Sequence, residues 1–323
     1  MPQPSHEERG MTNQTLNAHP RVLVTGGAGF IGSRLVALLT QQGVATGVID
    51  NLSSGMPLPA NIARGLVANV QDRARLIALC NAFRPTAVVH LAAVHHIPTC
   101  ESLRAYSLET NIVGTEVVLE AAELCGVETV VIASSGAVYA WKDAPLVEDE
   151  TPVWVSDNYS LGKLANEYQL RLWSERTGRR GRVARIFNTI GSGDPNAHLI
   201  PDVLAQLKQG SAQEIRLGNL APRRDYIYVD DVAAGLLSLL CAADASKAFD
   251  TFNICTGAEI SVEMLVRKIC LLFDKDARII PDANRVRRID RPRLLGSNAK
   301  ILAAHGWSPR LSLDDAIRRT VIP

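Results

Sequence analysis

The sequence lacks an excess of charge of either sign: 34 lysines and arginines face 33 aspartates and glutamates, a formal net charge of +1. Nothing in that balance calls for nucleic acid or an anionic membrane as a partner, and any anion has to be bound locally. Paired cysteines are missing too. Cys80, Cys100, Cys125, Cys241, Cys255 and Cys270 stand singly, mostly in apolar runs, with no Cys-x-x-Cys pair among them. That pattern reads as free buried thiols in a reducing cytoplasm, and no metal site is expected. No run of membrane-spanning length escapes a charge or a breaker, and residues 1–19 contain no apolar signal-peptide core. Those nineteen residues read as a flexible extension. Internal repeats and low-complexity tracts are absent.

What the sequence does have is apolar material, 47% of its 323 residues, enough for a full α/β core in one large domain or a domain with a smaller companion. From Arg21 a regular rhythm begins: a β-branched run (Val22, Leu23, Val24), a Gly-rich turn, a helical stretch Ile31 to Gln42 stopped by Gly43, and a second apolar run ending at Asp50. Further strands are expected at Gly65 to Ala68, Ala87 to Leu91, Thr129 to Ser134 and Val183 to Phe187, with helices over Leu103 to Cys125 and Tyr159 to Thr177. Such alternation predicts a doubly wound parallel sheet covered on both faces. Past Phe187 the rhythm loosens into Gly-, Pro- and Asn-rich turns, so residues 20–187 are expected to form the first domain and 188–323 mainly a smaller lobe. The helix-then-strand stretch of about 230–254 is expected to return to the first domain.

Thr25-Gly26-Gly27-Ala28-Gly29-Phe30-Ile31-Gly32 sits between a predicted strand and a predicted helix, with Gly26, Gly29 and Gly32 spaced as in a dinucleotide fingerprint. Side chains there would hold the backbone away from a pyrophosphate, while a helix N-terminus offers free N–H groups and a positive dipole end. A tight turn merely packing strand on helix is the plainer alternative. Against it stands Asp50, which closes the second strand in Val48-Ile49-Asp50-Asn51-Leu52-Ser53-Ser54-Gly55. A carboxylate there can accept both ribose hydroxyls of an adenosine and repels a 2′-phosphate, favouring NAD over NADP.

Tyr159 and Lys163 lie four apart and share a helix face. A free phenol, with a pKa of about 10, is a poor base at neutral pH. A neighbouring ammonium and a positive nicotinamide ring would stabilise its phenolate, so the tyrosine is expected to move toward the operating range. The spacing alone is common. It gains weight from Val130 to Tyr139, a hydrophobic strand that ends in Ser134 and Ser135, where open α/β sheets bind ligands.

With these residues assembled, the chain resembles the extended short-chain dehydrogenase/reductase superfamily, and within it the nucleotide-sugar epimerases and dehydratases. The resemblance runs from about Arg21 to Pro309 through TGGAGFIG at Thr25, DNLSSG at Asp50, HLAA at His90, NIVGT at Asn111, YSLGK at Tyr159, RIFN at Arg185, RDYIYVDDV at Arg224 and GWSP at Gly306. It implies a Rossmann-type sheet with a smaller C-terminal α/β substrate-binding lobe, and NAD as cofactor. It also implies roles. Ser135 would bond the reacting sugar hydroxyl, Tyr159 would be the base, and Lys163 its activator and a ribose ligand. Gly26, Gly29, Phe30, Ile31, Gly32, Asp50, Asn51, Ser53, Ser54, Gly55, Asn69, Val70, Leu91, Ala92, Ala93 and Asn111 would line the cofactor. Asn188, His198, Leu199, Arg224, Arg287 and Asp290, with His95 and Gly136, would meet a nucleotide sugar, most simply a UDP-sugar. A homodimer through Leu103 to Cys125 and Tyr159 to Thr177 is expected on the same ground.

Departures from the family pattern carry information. Asn69 replaces the usual aspartate before an apolar residue, Ala140 replaces a glycine, and His95-His96 after HLAA is unusual. Gly136 and Ala137 matter most. Sugar-nucleotide 4,6-dehydratases carry Asp-Glu there and UDP-glucuronate decarboxylases a Glu, whereas neither residue here can move a proton. What remains is a 4-epimerase, with a nucleotide-sugar 4-ketoreductase and a non-catalytic dinucleotide sensor as rivals. Leu294, at the place of a gatekeeper facing the sugar, leaves glucose/galactose, their N-acetylamino forms and glucuronate open. Most of the cluster Arg285, Arg287, Arg288, Arg291 and Arg293 reads as a solvated basic face.

Overall fold

The computed structural model describes residues 20–195, 199–208, 214–241, 247–286 and 291–322. The first half runs β1 (Arg21–Thr25), α1 (Phe30–Gln41), β2 (Ala45–Asp50), β3 (Arg64–Val67), α2 (Arg73–Phe83), β4 (Ala87–His90), α3 (Ile97–Ser102), α4 (Arg104–Leu108), a π-helical turn (Glu109–Val113), α5 (Gly114–Leu124), β5 (Thr129–Ser135), α6 (Asn158–Thr177) and β6 (Arg180–Ile186). The second half adds β7 (Asn188–Ile190), α7 (Leu199–Lys208), β8 (Glu214–Leu217), β9 (Arg223–Arg224), β10 (Tyr226–Tyr228), α8 (Val229–Leu240), β11 (Phe249–Ile254), β12 (Ile260–Ser261), α9 (Val262–Leu272), β13 (Arg278–Pro281), β14 (Arg293–Leu294), α10 (Ala299–His305) and α11 (Leu313–Val321).

Seven strands form one sheet in the order β11-β6-β5-β4-β1-β2-β3, every neighbour parallel. Parallel strands covered on both faces need apolar residues on both sides, which is why Val22, Leu23, Val24 and Val88, Val89 are continuous runs rather than alternating ones. One face packs α1 and α8 through Leu35, Val36, Leu39, Val232 and Leu236. The other packs α2, α5 and α6 through Leu76, Phe83, Leu119, Leu170 and Trp173. Three small sheets and α7, α9 and α11 make the C-terminal lobe around Val203, Ile215, Leu265, Ile269 and Ile317. The strand order reverses between β1 and β4, so their carboxyl ends diverge and open a crevice. Among the described residues no helix is long and apolar enough to cross a membrane.

One expected element is broken. The stretch from Leu103 to Cys125 is not a single helix, because Leu103 leaves helical geometry (φ −117°, ψ 54°) and a π-helical turn follows at Glu109–Val113. The cause sits at Asn111. Its carbonyl accepts the Thr115 hydroxyl at 2.6 Å and the Asn166 amide at 2.6 Å, competing with the regular ladder and wedging one extra residue into it.

Candidate active site

The crevice leads into a cavity of about 710 Å³ that continues between the sheet and the C-terminal lobe. At its sheet end, Gly26 adopts φ +70°, and a Cβ there would lie 2.7 Å from the Ala92 nitrogen. At Gly32 a Cβ would lie 2.0 Å from the Gly26 carbonyl oxygen. Both positions demand glycine, the first by conformation and contact, the second by contact alone. Gly29, the N-cap of α1, supplies no side-chain bond, so the first-turn amides around Phe30, Ile31 and Gly32, which line the cavity, are left to an anion.

Asp50 is buried at the end of β2, its Oδ2 accepting the Ala28 amide at 2.9 Å and its Oδ1 the Leu52 amide at 2.7 Å. Each oxygen keeps a second lone pair for a hydroxyl. Around it the lining is Asn51, Ser53, Ser54, Ala68, Val70 and Gln71, without a cation, while the arginines of the cavity, Arg224, Arg285 and Arg291, belong to later segments. The Ser54 hydroxyl is buried without a partner, a donor placed for a ligand. A diol fits this end; a 2′-phosphate would meet a carboxylate with no lining cation beside it.

Leu91, Ala92, Ala93 and His95 form the next stretch of wall. Asn69, Gly55 and Asn111 do not line it. Asn69 is exposed and accepts the Asn51 amide at 2.8 Å. Asn111, 1% exposed, clamps the loop after β4 from behind: its side chain donates to the Val94 carbonyl at 2.9 Å and accepts the Val94 amide at 2.8 Å. Beneath the same loop His90 is buried between the Thr25 and Thr115 hydroxyls, 2.6 and 2.9 Å away. Burial first, then the charge of Lys163, pushes its pKa down to about 3.

β5 ends on Ser135, and α6 brings Tyr159 and Lys163 to it. Asp157 fixes the start of that helix by a capping box: it accepts the Ser160 amide at 2.7 Å, while the Ser160 hydroxyl accepts the Asp157 amide at 3.1 Å. The Lys163 ammonium donates to the Ala133 carbonyl at 2.7 Å and lies 6.0 Å from the Tyr159 ring centre. Burial pushes Lys163 down to about 8, against the opposing pull of Cys100 and Glu167. The protein's own groups move the phenol upward. Burial pushes Tyr159 up to about 12, and among the protein's own groups it is the bond to Ser135 that lowers it.

At the substrate end, Asn188, Leu199, Arg224 and Leu294 line the cavity, and the Asn188 Oδ1 is buried without a partner. Ala137 lines it as well, but Gly136 is buried below: a Cβ on it would come within 3.0 Å of the Phe187 ring. His198, Arg287 and Asp290 lie outside the described residues. Phe187, Val94 and Arg291 also line the cavity. Phe187 stands beside Asn188 in RIFN, no local motif marks Val94, and Arg291 is one of five arginines in a short basic stretch.

A glycine cradle for a dinucleotide and the side chains of Ser135, Tyr159 and Lys163 lie around one cavity, an arrangement able to hold a nicotinamide cofactor beside a hydroxyl-bearing carbon. The pattern of the NAD dependent epimerase/dehydratase family matches residues 22–255, and the chain belongs to that family. NAD is the family's cofactor, and the glycine cradle, Asp50 and the orphaned Ser54 hydroxyl fit it. The chain is 31% identical over 242 residues to the GDP-6-deoxy-D-mannose reductase of Pseudomonas aeruginosa, covering 72% of this chain and 78% of that one. It is 30% identical over 311 residues to the UDP-glucose 4-epimerase of Mycolicibacterium smegmatis, covering 93% and 97%. The UDP-glucose 4-epimerase of Thermus thermophilus, solved as a complex with NAD, superposes with a TM-score of 0.84 at 28% identity over 93% of this chain and 97% of that one.

Proposed function

We propose that the protein is an NAD-dependent 4-epimerase of a UDP-hexose or UDP-hexuronate. The observation that carries this reading is the wall after Ser135. Ala137 reaches the cavity without an ionisable group, and Gly136 is closed over by Phe187, so neither position supplies the acid and base that removing water would need. NAD, when bound, supplies a reversible hydride carrier and, when oxidised, a positive charge. The protein's residues handle the proton. Tyr159 takes the C4 hydroxyl proton as hydride leaves that carbon, Ser135 holds the oxygen, and Lys163 stabilises the phenolate that precedes this step. Asn188 and Arg224 hold the diphosphate while the 4-keto sugar turns to present its other face, and Tyr159 returns the proton.

Incubating the purified protein with UDP-glucose, UDP-GlcNAc and UDP-glucuronate, without added cofactor, tests the reading. A C4 epimer is expected; a stoichiometric requirement for a reduced cofactor would instead establish a 4-ketoreductase. That second reading is favoured by the 31% identity to the GDP-6-deoxy-D-mannose reductase. Tyr159→Phe is expected to lower turnover by at least about 10²-fold, the range of a lost acid–base group, and full activity would remove Tyr159 from its role.

A homodimer belongs to the same proposal. Val113 and Leu124 at the ends of α5 and Leu161, Tyr168 and Leu172 along α6 are exposed, in stripes of helical spacing on adjacent helices. Leu172→Glu is expected to halve the mass measured by light scattering. The six cysteines, none of them in a disulfide, fit a cytoplasmic setting.

A further inference from the structure

Arg291 stands in a basic stretch of the sequence. Its guanidinium reaches from the C-terminal lobe to the turn behind Ser135, with Nη1 donating to the Tyr139 carbonyl at 2.6 Å and Nη2 to the Ala137 carbonyl at 2.8 Å. The carbonyl between them, on Val138, accepts the Trp154 amide at 2.7 Å. Nη2 also lies 3.2 Å from the Ser156 hydroxyl. From these contacts two short chains of bonds run into the catalytic pair. The Ala137 amide donates to the Ser135 oxygen at 3.1 Å, and the Ser156 hydroxyl donates at 2.9 Å to Asp157, the cap of the helix that presents Tyr159.

One side chain therefore secures both the turn that aims Ser135 and the cap that aims Tyr159. It does so from the substrate wall. Arg291 precedes β14, whose Leu294 pairs with Arg224 of β9, and all three residues line the cavity. We propose that Arg291 is a positioning residue that ties the Ser135–Tyr159 geometry to the β9/β14 wall, so that a nucleotide sugar held on that wall finds the pair assembled. A planar fork suits this task. It spans two carbonyls from two nitrogens held in a fixed plane, with charge-assisted bonds, whereas a lysine offers a single nitrogen with no fixed direction. The proposal rests on the reading that Ser135 and Tyr159 act on a sugar hydroxyl, and is indifferent to which product results.

The test compares wild type with Arg291→Met, Arg291→Lys and Ser156→Ala, using whichever nucleotide sugar the wild type converts. Arg291→Met is expected to lower kcat about 10- to 100-fold, equivalent to roughly 1.4–2.7 kcal/mol, with KM within about threefold. Arg291→Lys should recover only part of the loss. Ser156→Ala, which removes one hydroxyl's bonds to Arg291 and Asp157 but leaves the two carbonyl contacts of Arg291, should lower kcat only about two- to fivefold. Amide hydrogen exchange across 136–139, read on the same proteins, should quicken about tenfold in Arg291→Met while the melting temperature stays close to that of wild type. An unchanged kcat overturns the proposal, as does a loss confined to KM, which would make Arg291 a substrate ligand. If the wild type is a ketoreductase the same ratios are read in that reaction. If it converts no nucleotide sugar, the functional reading fails while the exchange measurement still decides: unaltered exchange at 136–139 in Arg291→Met overturns the clamp. If Arg291→Met does not fold, Ser156→Ala decides in its place, and unaltered kcat there overturns it.

Discussion

Removing the Glu167 carboxylate should destabilise the fold strongly, and removing its partner as well should give most of that stability back. Glu167 and Arg185 are each 7% exposed and joined by two bonds, 2.9 Å from Nε to Oε1 and 2.6 Å from Nη2 to Oε2. The Ser134 hydroxyl donates to the same carboxylate, and the guanidinium lies 4.5 Å from the centre of the Tyr139 ring. Glu167→Leu strands a buried guanidinium and a buried hydroxyl together, a change that costs about 3–5 kcal/mol in comparable buried pairs. Unfolding entropy near 2.1 cal/mol/K per residue gives about 0.7 kcal/mol/K for 323 residues, so Tm should fall by roughly 4–7 °C. Thermal and urea unfolding measure this directly. The double variant Glu167→Leu/Arg185→Met replaces the pair by apolar side chains and should lie well above the single variant, because desolvating two charges offsets most of their attraction. A single variant within about 1 kcal/mol of wild type, or a double variant costing as much as both single changes combined, would refute the reasoning.

Three further outcomes follow from the cofactor end. His90 is held near a pKa of about 3 against an ordinary 6.5, so between these values the folded chain binds fewer protons than the unfolded one. Stability is then full above about pH 6.5 and lost as pH falls, by up to about 1.4 kcal/mol per pH unit; urea titrations at pH 6.5 and 4.5 should show a steeper loss for wild type than for His90→Gln. Gly32→Ala drives a Cβ to 2.0 Å from the Gly26 carbonyl, so the loop must open, and calorimetry should find NAD binding weakened about tenfold or more. Asp50→Asn keeps an acceptor while removing the charge, and should narrow the preference for NAD over NADP by about tenfold in competitive binding; an unchanged ratio would locate the discrimination elsewhere.

Much of the molecule was legible before any coordinates, wherever the rule is local. Continuous β-branched runs mark buried parallel strands, and the Gly26-Gly29-Gly32 spacing puts glycine where backbone meets backbone. The four-residue step from Tyr159 to Lys163 puts both on one face. Each depends on atoms that chain geometry alone holds close.

Other features come from segments far apart in the chain, and there the sequence pattern was silent or pointed elsewhere. Asn111 turns away from the cavity to clamp Val94, and its carbonyl is taken by Thr115 and Asn166. Gly136 lies under Phe187, fifty-one residues away in the chain, and Arg291 bonds carbonyls more than a hundred and fifty residues upstream. The Tyr159 phenol shows the same division most plainly. Its distance from Lys163 is a matter of helical repeat, but its acidity depends on how much water the whole fold removes. By itself the sequence determined which groups stand together along each helix and strand. Which of them lose their water, and which distant backbone they hold in place, was decided only by tertiary packing, since desolvation and long-range hydrogen bonds have no counterpart in local spacing.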